Sequence, residues 1–161
     1  MIMIREMEAS DYPQVKLIYD LGIAQGNATF ETQSPDWETF NNKFLAHSRF
    51  VSVEGTTVTG WVVLSKVSPR ECYAGVCELT VYVHDDHKNK GLGKALIERA
   101  IASSEEHGYW SMLAVIHNDN PVSIYLHEKC GFRMIGYRER IACLNGVWKT
   151  TVMMEKRSSV L

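Results

Sequence analysis

Ile2 to Arg5 reads like a short strand, after which apolar residues switch to helical spacing. After Ser10-Asp11, which can cap a helix, Val15, Ile18, Tyr19 and Ile23 recur on one face until Gly26-Asn27 ends the run. Ser34-Pro35-Asp36 opens a second helix, predicted to carry Trp37, Phe40, Phe44 and Leu45 on one side. Phe50 to Glu54, a Gly55-Thr56 turn, and Val58 to Val67 read as a hairpin, followed by a strand from Val76 to Val83. A third helix follows Gly91, with Leu92, Leu96, Ile97, Ala100 and Ile101 as its buried stripe, and stops near Gly108. Ser111 to Ile116 is a short apolar strand, so a βαβ unit is expected here. Asn120-Pro121 starts a fourth helix that ends at Cys130-Gly131, and the strands Phe132 to Ala142 and Val147 to Lys156 close the chain around Leu144-Asn-Gly146. The expectation is an α/β fold: a mixed, mostly antiparallel sheet with helices on both sides.

The most informative junction is Val83 to Leu92, where a strand pattern passes through a short polar turn into Gly91-Leu92-Gly93 and a helix. Glycine lets the backbone take unusual φ and approach a ligand, and the first helical N–H groups have no intrahelical acceptor. Such a terminus suits a phosphate, and Lys88, Lys90 and Lys94 add positive charge around it. Two familiar phosphate loops are excluded by spacing. Gly93-Lys94 is followed by Ala95 and not by Ser or Thr, and Leu96 occupies the place of the third glycine in a dinucleotide fingerprint.

Composition narrows the ligand. The 161 residues fit one domain spanning 1–161, and 17 basic against 19 acidic side chains give a net charge of -2, which argues against a general nucleic-acid surface. A phosphorylated cofactor is the better anion. The four cysteines form no Cys-x-x-Cys pair, no secretory leader is evident, and no apolar run approaches the ~18 residues a membrane span requires, so a cytoplasmic protein is expected. His84-Asp-Asp-His87 places four possible ligands in a row, but adjacent turn residues rarely converge on one ion, and no metal is expected.

In Glu78-Leu-Thr-Val-Tyr-Val83 side chains alternate, so Glu78, Thr80 and Tyr82 share one face and Leu79, Val81 and Val83 the other. An acid in an otherwise apolar strand is either paired or solvated, or it is a base whose pKa burial raises toward neutrality.

The turn Lys88-Asn89-Lys90-Gly91-Leu92-Gly93, in this order of elements, resembles the acetyl-CoA loop of the GNAT acetyltransferases, whose motif normally begins with Gln or Arg. Asn27-Ala-Thr-Phe-Glu-Thr32, Glu78 to Val83, Asn120-Pro-Val-Ser-Ile-Tyr-Leu-His-Glu-Lys-Cys-Gly-Phe132 and Asn145-Gly-Val-Trp148 resemble its phosphinothricin and methionine sulfoximine N-acetyltransferase branch. The resemblance implies the GNAT fold, with about seven strands and about four helices, and acetyl transfer from acetyl-CoA to the primary amine of a small amino-acid-like acceptor. It also implies a homodimer.

By the same resemblance the backbone of Val81, Tyr82 and Val83 pairs with the cofactor arm. Lys88, Asn89, Lys90, Gly91, Leu92, Gly93 and Lys94 hold its pyrophosphate, and Asn120 touches the arm while capping its helix. Glu78 is implied as the base. His127 stands where many relatives place a tyrosine acid, and acid, cofactor contact and packed helix histidine all stay open for it. Tyr125, on another helix face, is expected in the core. Phe30, Glu31, Arg70 and Tyr73 are implied for the acceptor pocket, with solvated loop positions as the alternative for the charged ones. Where the branch usually shows Trp-x-Asp this chain has Trp148-Lys149-Thr150. Acetylation of another small amine or a peptide N-terminus, and a non-catalytic acyl-CoA-binding regulatory module, are the competing readings.

Overall fold

The computed structural model describes residues 2–161. Strand β1 (Ile2–Glu6) leads into helix α1 (Tyr12–Ala24), and α2 (Trp37–Lys43) precedes the hairpin β2 (Phe50–Glu54) and β3 (Thr57–Lys66). Strand β4 (Val76–Val83), helix α3 (Leu92–Glu106) and strand β5 (Ser111–His117) form the βαβ unit. Helix α4 (Pro121–Lys129) and strands β6 (Arg133–Leu144) and β7 (Val147–Arg157) complete the chain. The strands build one seven-stranded sheet in the order β1-β2-β3-β4-β5-β7-β6, in which only the β4–β5 pair is parallel. The expected mixed α/β architecture is therefore present.

Local chemistry explains most boundaries. Asp36 accepts from the Thr39 amide at 2.9 Å and starts α2; Asn120 accepts from the Ser123 amide at 3.2 Å and starts α4. Gly131, at φ +91°, lets the chain leave α4 in a conformation that a Cβ would disfavour. Asn145 and Gly146 both have positive φ, the geometry that matches a two-residue turn to the twist of β6 and β7.

Helix α2 is shorter than its apolar spacing predicts. Phe44 is already extended (φ -104°, ψ 153°), and the Leu45 amide donates to the Leu64 carbonyl at 2.8 Å. Phe40 and Phe44 therefore enter one core and Leu45 the other. A strand hydrogen bond has overridden the helical pattern.

The two cores lie on opposite faces of the sheet. On one, Leu96, Ile97 and Ala100 of α3 cover Leu64, Leu79, Met112, Ala114, Ile116 and Met154. On the other, Val15, Ile18 and Tyr19 of α1 and Phe40 of α2 cover Val51, Trp61 and Val63. The alternation along β4 is as expected: Leu79, Val81 and Val83 belong to the α3 side, whereas Tyr82 packs with Tyr19 and Trp61 on the α1 side.

Helix α1 reaches β4 by close approach at Gly22, where a Cβ would sit 2.4 Å from the Tyr82 ring. The ring cannot give way easily, because Trp61 lies 5.0 Å and Tyr19 5.1 Å from it, centroid to centroid. Alanine would gain about 1 kcal/mol in helix propensity, but overpacking costs about 1–3 kcal/mol. Gly22→Ala is thus expected to lower the urea unfolding midpoint despite the better helix former, and an unchanged or higher midpoint would refute this account of the contact.

Candidate active site

Strands β4 and β5 pair only from Val76–Ser111 to Glu78–Leu113, although each continues for several residues. Beyond Glu78 they separate. β4 remains bound to β3 as far as Val83, and β5 remains bound to β7 as far as His117. The wedge between them is part of a cleft of about 820 Å³ lined by β4 from Glu78 to Val83, β5 from Ala114 to His117, the start of α3, α4, and the Asn27 to Phe30 loop.

The direction of the β4 backbone follows from one hydrogen bond. The His84 amide donates to the Thr59 carbonyl at 2.8 Å, and the register sets Val83 opposite Gly60 and Tyr82 opposite Trp61. In an antiparallel ladder hydrogen-bonded and non-hydrogen-bonded pairs alternate. Glu78, Thr80 and Tyr82 therefore turn their backbone groups to β3, and Leu79, Val81 and Val83 turn theirs toward the wedge. Val81 and Val83 present an unpaired strand edge; Tyr82 presents its ring.

At the wide end of the wedge the chain turns through Asn89 (φ +63°) and Gly91 (φ +78°, ψ 10°) into α3. No side chain caps this helix, and its first ladder bond is Ala95 N–H to Gly91 C=O at 3.1 Å. The Leu92, Gly93 and Lys94 amides precede that bond, which leaves them to face an anion. The two glycines do different work. Gly91 supplies the left-handed turn and has open space around its Cβ direction, whereas a Cβ on Gly93 would lie 2.8 Å from Leu126 Cδ2, so Gly93 serves helix packing rather than ligand approach. Lys88 is 2.9 Å from Asp85 and Lys94 is 3.4 Å from Glu98; both line the cleft with Asn89, while Lys90 does not.

Glu78 sits where the two strands part. Burial raises its carboxyl above the usual carboxylate range, against the opposing pull of Lys43. His127 is 3% exposed, and its Nδ1 lies 2.7 Å from the Ser123 carbonyl. A carbonyl only accepts, so Nδ1 carries the hydrogen and Nε2 is a bare acceptor. Burial lowers its pKa, with the Ser123 bond opposing, so the ring is neutral near pH 7 and poorly equipped to donate from Nε2.

The remaining expected positions divide. Phe30 lines the cleft, and its ring lies 4.7 Å from that of His117. Asn120 also lines it, donating to the Asn27 carbonyl at 3.2 Å as well as capping α4. Glu31 is exposed and pairs with Lys43 at 3.5 Å; Arg70 stacks over Tyr73 at 5.5 Å on an exposed turn, and none of Glu31, Arg70 and Tyr73 lines the cleft. The Arg70 turn precedes β4, at the end where β4 and β5 are still paired. Tyr125 departs from its expected core position: it is exposed beside Lys129, at the cleft wall. Thr150 accepts from the Arg140 amide at 2.9 Å, which fixes the irregular stretch of β6 and leaves it no role as an acid.

Two polar residues of the cleft, His117 and Thr151, belong to no motif of the sequence. Asn27 Oδ1, both ring nitrogens of His117 and Thr151 Oγ1 are buried without a hydrogen-bond partner among the described residues. Each such group costs about 1–3 kcal/mol. A polar residue ending the apolar run Ser111 to Ile116 was the only hint of His117.

The sequence model of the acetyltransferase (GNAT) family matches residues 3–132. The chain belongs to this family. It is 28% identical over 157 residues to the L-amino acid N-acyltransferase MnaT of Escherichia coli, covering 94% of this chain and 91% of the relative. It is equally 28% identical over 158 residues to an L-methionine sulfoximine/L-methionine sulfone acetyltransferase of Pseudomonas paraeruginosa, covering 94% and 92%. The crystal structure of a GNAT superfamily phosphinothricin acetyltransferase of Sinorhizobium meliloti in complex with AcCoA superimposes with a TM-score of 0.88 at 26% identity, covering 97% of this chain and 88% of that one. The protein is a GNAT acetyltransferase, and its residues fit acetyl-CoA. The unpaired Val81 and Val83 edge suits the amides of a pantetheine arm, and the open α3 terminus suits a pyrophosphate. No helix among the described residues is long and apolar enough to cross a membrane.

The burial of Glu78 has a measurable consequence apart from activity. With its folded pKa above the unfolded value, the native state holds the proton more tightly, so stability falls as pH rises through the interval between the two. Glu78→Gln is expected to stabilise the protein above that interval and to leave it unchanged below the ordinary carboxylate range. Urea midpoints measured from acid to mildly alkaline pH check this, and a gain that does not grow with pH would contradict it.

Proposed function

We propose that this GNAT protein transfers acetyl from acetyl-CoA to the primary amine of a small amino-acid-like acceptor, of the phosphinothricin or methionine sulfoximine type, by direct transfer in a ternary complex. The observation that carries the reading is the wedge itself, with unpaired Val81 and Val83 backbone on one wall and the Glu78 acid at its apex. Acetyl-CoA supplies the acyl thioester. Val81 and Val83 hold the arm by main-chain bonds, the Leu92, Gly93 and Lys94 amides with Lys88 and Asn89 face the pyrophosphate, Lys90 stays outside the cleft, and Asn120 closes the wall beside it.

An amine attacks only when neutral, and an amino-acid amine is mostly protonated near pH 7. Glu78 takes that proton, directly or through water. Its raised pKa brings it toward the range where a base is useful at neutral pH, and Lys43 nearby keeps it ionisable. No cysteine lines the cleft, which favours direct transfer over an acyl-cysteine route. His127, neutral with Nδ1 committed to Ser123, serves as an acceptor or wall residue in this reading, and the departing CoA thiolate takes, through water, the second proton that the attacking nitrogen loses as the amide forms.

The acceptor end is narrowed by Phe30 over His117, which favours a small acceptor over a peptide N-terminus. Glu31, Arg70 and Tyr73 can reach an acceptor only from the rim. Thiol release from acetyl-CoA with a panel of amino-acid analogues tests the activity: turnover above background is expected, and CoA binding without turnover would leave the regulatory-module reading. Glu78→Gln should lower kcat by about 100-fold with CoA affinity nearly intact, and equal losses in both would remove Glu78 from the base role. Gly91→Val, which forces a β-branched residue to φ +78°, should instead weaken CoA binding.

The assembly is proposed as a homodimer. Ile135, Tyr137, Ile141, Val147 and Trp148 expose an apolar surface on the β6–β7 hairpin at the edge of the sheet, a surface of the kind that association covers. Sedimentation equilibrium is expected to give a dimer that Trp148→Glu dissociates; a monomer at all concentrations would exclude it.

A further inference from the structure

His117 and Thr151 face each other across β5 and β7 at the edge of the wedge, 3% and 1% exposed. Along β5, Met112, Ala114 and Ile116 enter the α3-side core, so alternation turns His117 to the opposite face, the one that carries Glu78. Neither His117 nitrogen nor the Thr151 hydroxyl has a partner among the described residues, and both residues line the cleft. Buried polar groups are ordinarily paired, so a cluster left open on a ligand cleft marks what the ligand brings. The neighbouring charge fits an electron-rich ligand atom. Burial depresses the imidazole pKa, the Lys149 ammonium lowers it further, and Asp119, paired with Lys149 at 2.5 Å, opposes.

The register sets the distance from the base. Leu113 pairs with Glu78, and His117 lies four residues further along β5, about 13 Å at about 3.3 Å per residue. The amine and carboxylate of an amino acid hang from one carbon, with their polar atoms about 3–4 Å apart. A group held by His117 while the amine is served from Glu78 is therefore several bonds away, at the far end of the acceptor side chain.

We propose that His117 and Thr151 form a specificity subsite for a distal oxo group on the acceptor side chain, a sulfonyl, sulfoximine or phosphinyl oxygen, which accepts hydrogen bonds from the imidazole N–H and the threonine hydroxyl. This rests on the acetyl-transfer reading and specifies its acceptor. The Phe30 ring packs against the imidazole, 4.7 Å between centroids, and forms one wall of this subsite. His117 is a specificity determinant in this scheme and takes no part in moving the amine proton.

The test uses two acceptors that differ only in the distal oxygens, L-methionine sulfone and L-methionine, at saturating acetyl-CoA. His117→Phe keeps a ring against Phe30 and removes both nitrogens; Thr151→Val removes the hydroxyl at constant shape and stands in if the first variant fails to fold. Either variant is expected to lower kcat/KM for the sulfone by about 10- to 100-fold, through KM, and for methionine by less than about threefold. Equal loss on both compounds, no loss on the sulfone, or a loss confined to kcat would overturn the subsite. If the wild type turns over neither compound, the acetyl-transfer reading for such acceptors fails by itself. Calorimetry of L-methionine sulfone with the CoA-loaded protein then decides the subsite: binding weakened by His117→Phe upholds it, and absent or unaffected binding overturns it.

Discussion

A parallel strand pair that stops early creates the cleft and the burial within it. β4 and β5 share three residue pairs and then separate, although each is fully engaged on its other side, β4 by β3 and β5 by β7. Those outer ladders hold the strands apart. Unpaired backbone inside a sheet costs about 1–3 kcal/mol per group left without a partner, so the wedge persists only because the flanking pairings and the two cores over-determine it. The Gly22 contact with Tyr82 shows how tightly: α1 lies so close to β4 that even a methyl group would collide with a ring clamped by Trp61 and Tyr19.

From this one constraint the electrostatics of the site follow. The apex of the wedge buries Glu78 enough to raise its pKa, while Lys43 keeps the carboxylate accessible. The walls bury two histidines in different ways. His127 gives its Nδ1 hydrogen to a backbone carbonyl and is fixed in tautomer, whereas His117 has no such anchor and keeps both ring nitrogens for another partner. Desolvation lowers the pKa of each, so the wedge combines one acid inclined to accept a proton with two neutral imidazoles. The lysines at the start of α3 lie at the wide end of the wedge, and Glu78 lies at its apex.

Much of the fold was legible residue by residue. The helical stripe from Leu92 to Ile101, the caps at Asp36 and Asn120, and the left-handed turns at Gly131 and Asn145-Gly146 are local rules that the structure obeys. The alternation that separates Tyr82 from Val81 and Val83 is equally local. Leu45 and Tyr125 were misplaced for a shared reason. Helical spacing identifies the residues that share a face but is silent on the neighbour of that face, and in both cases the neighbour decided: a β3 carbonyl drew Leu45 out of α2, and the open cleft left Tyr125 exposed.

The site was legible in the same proportion. Glycine spacing, Lys88 and Lys94 pointed to the proposed anion end, because backbone freedom and charge are properties of the residues themselves. The proposed acceptor end was not legible, since the exposed Arg70–Tyr73 turn suits an acceptor by residue type yet lines no part of the cleft, and His117 meets Thr151 only through pairing of two strands that are not neighbours in the chain. Most elements, the turns and the uncapped start of α3 could be read from the chain, because interactions within a few residues set them. Where β4 leaves β5, which amides stay unpaired and which histidine stays unanchored follow from pairing across the sheet. Those outcomes rest on hydrogen bonds between strands far apart in sequence, whose satisfaction no local pattern records.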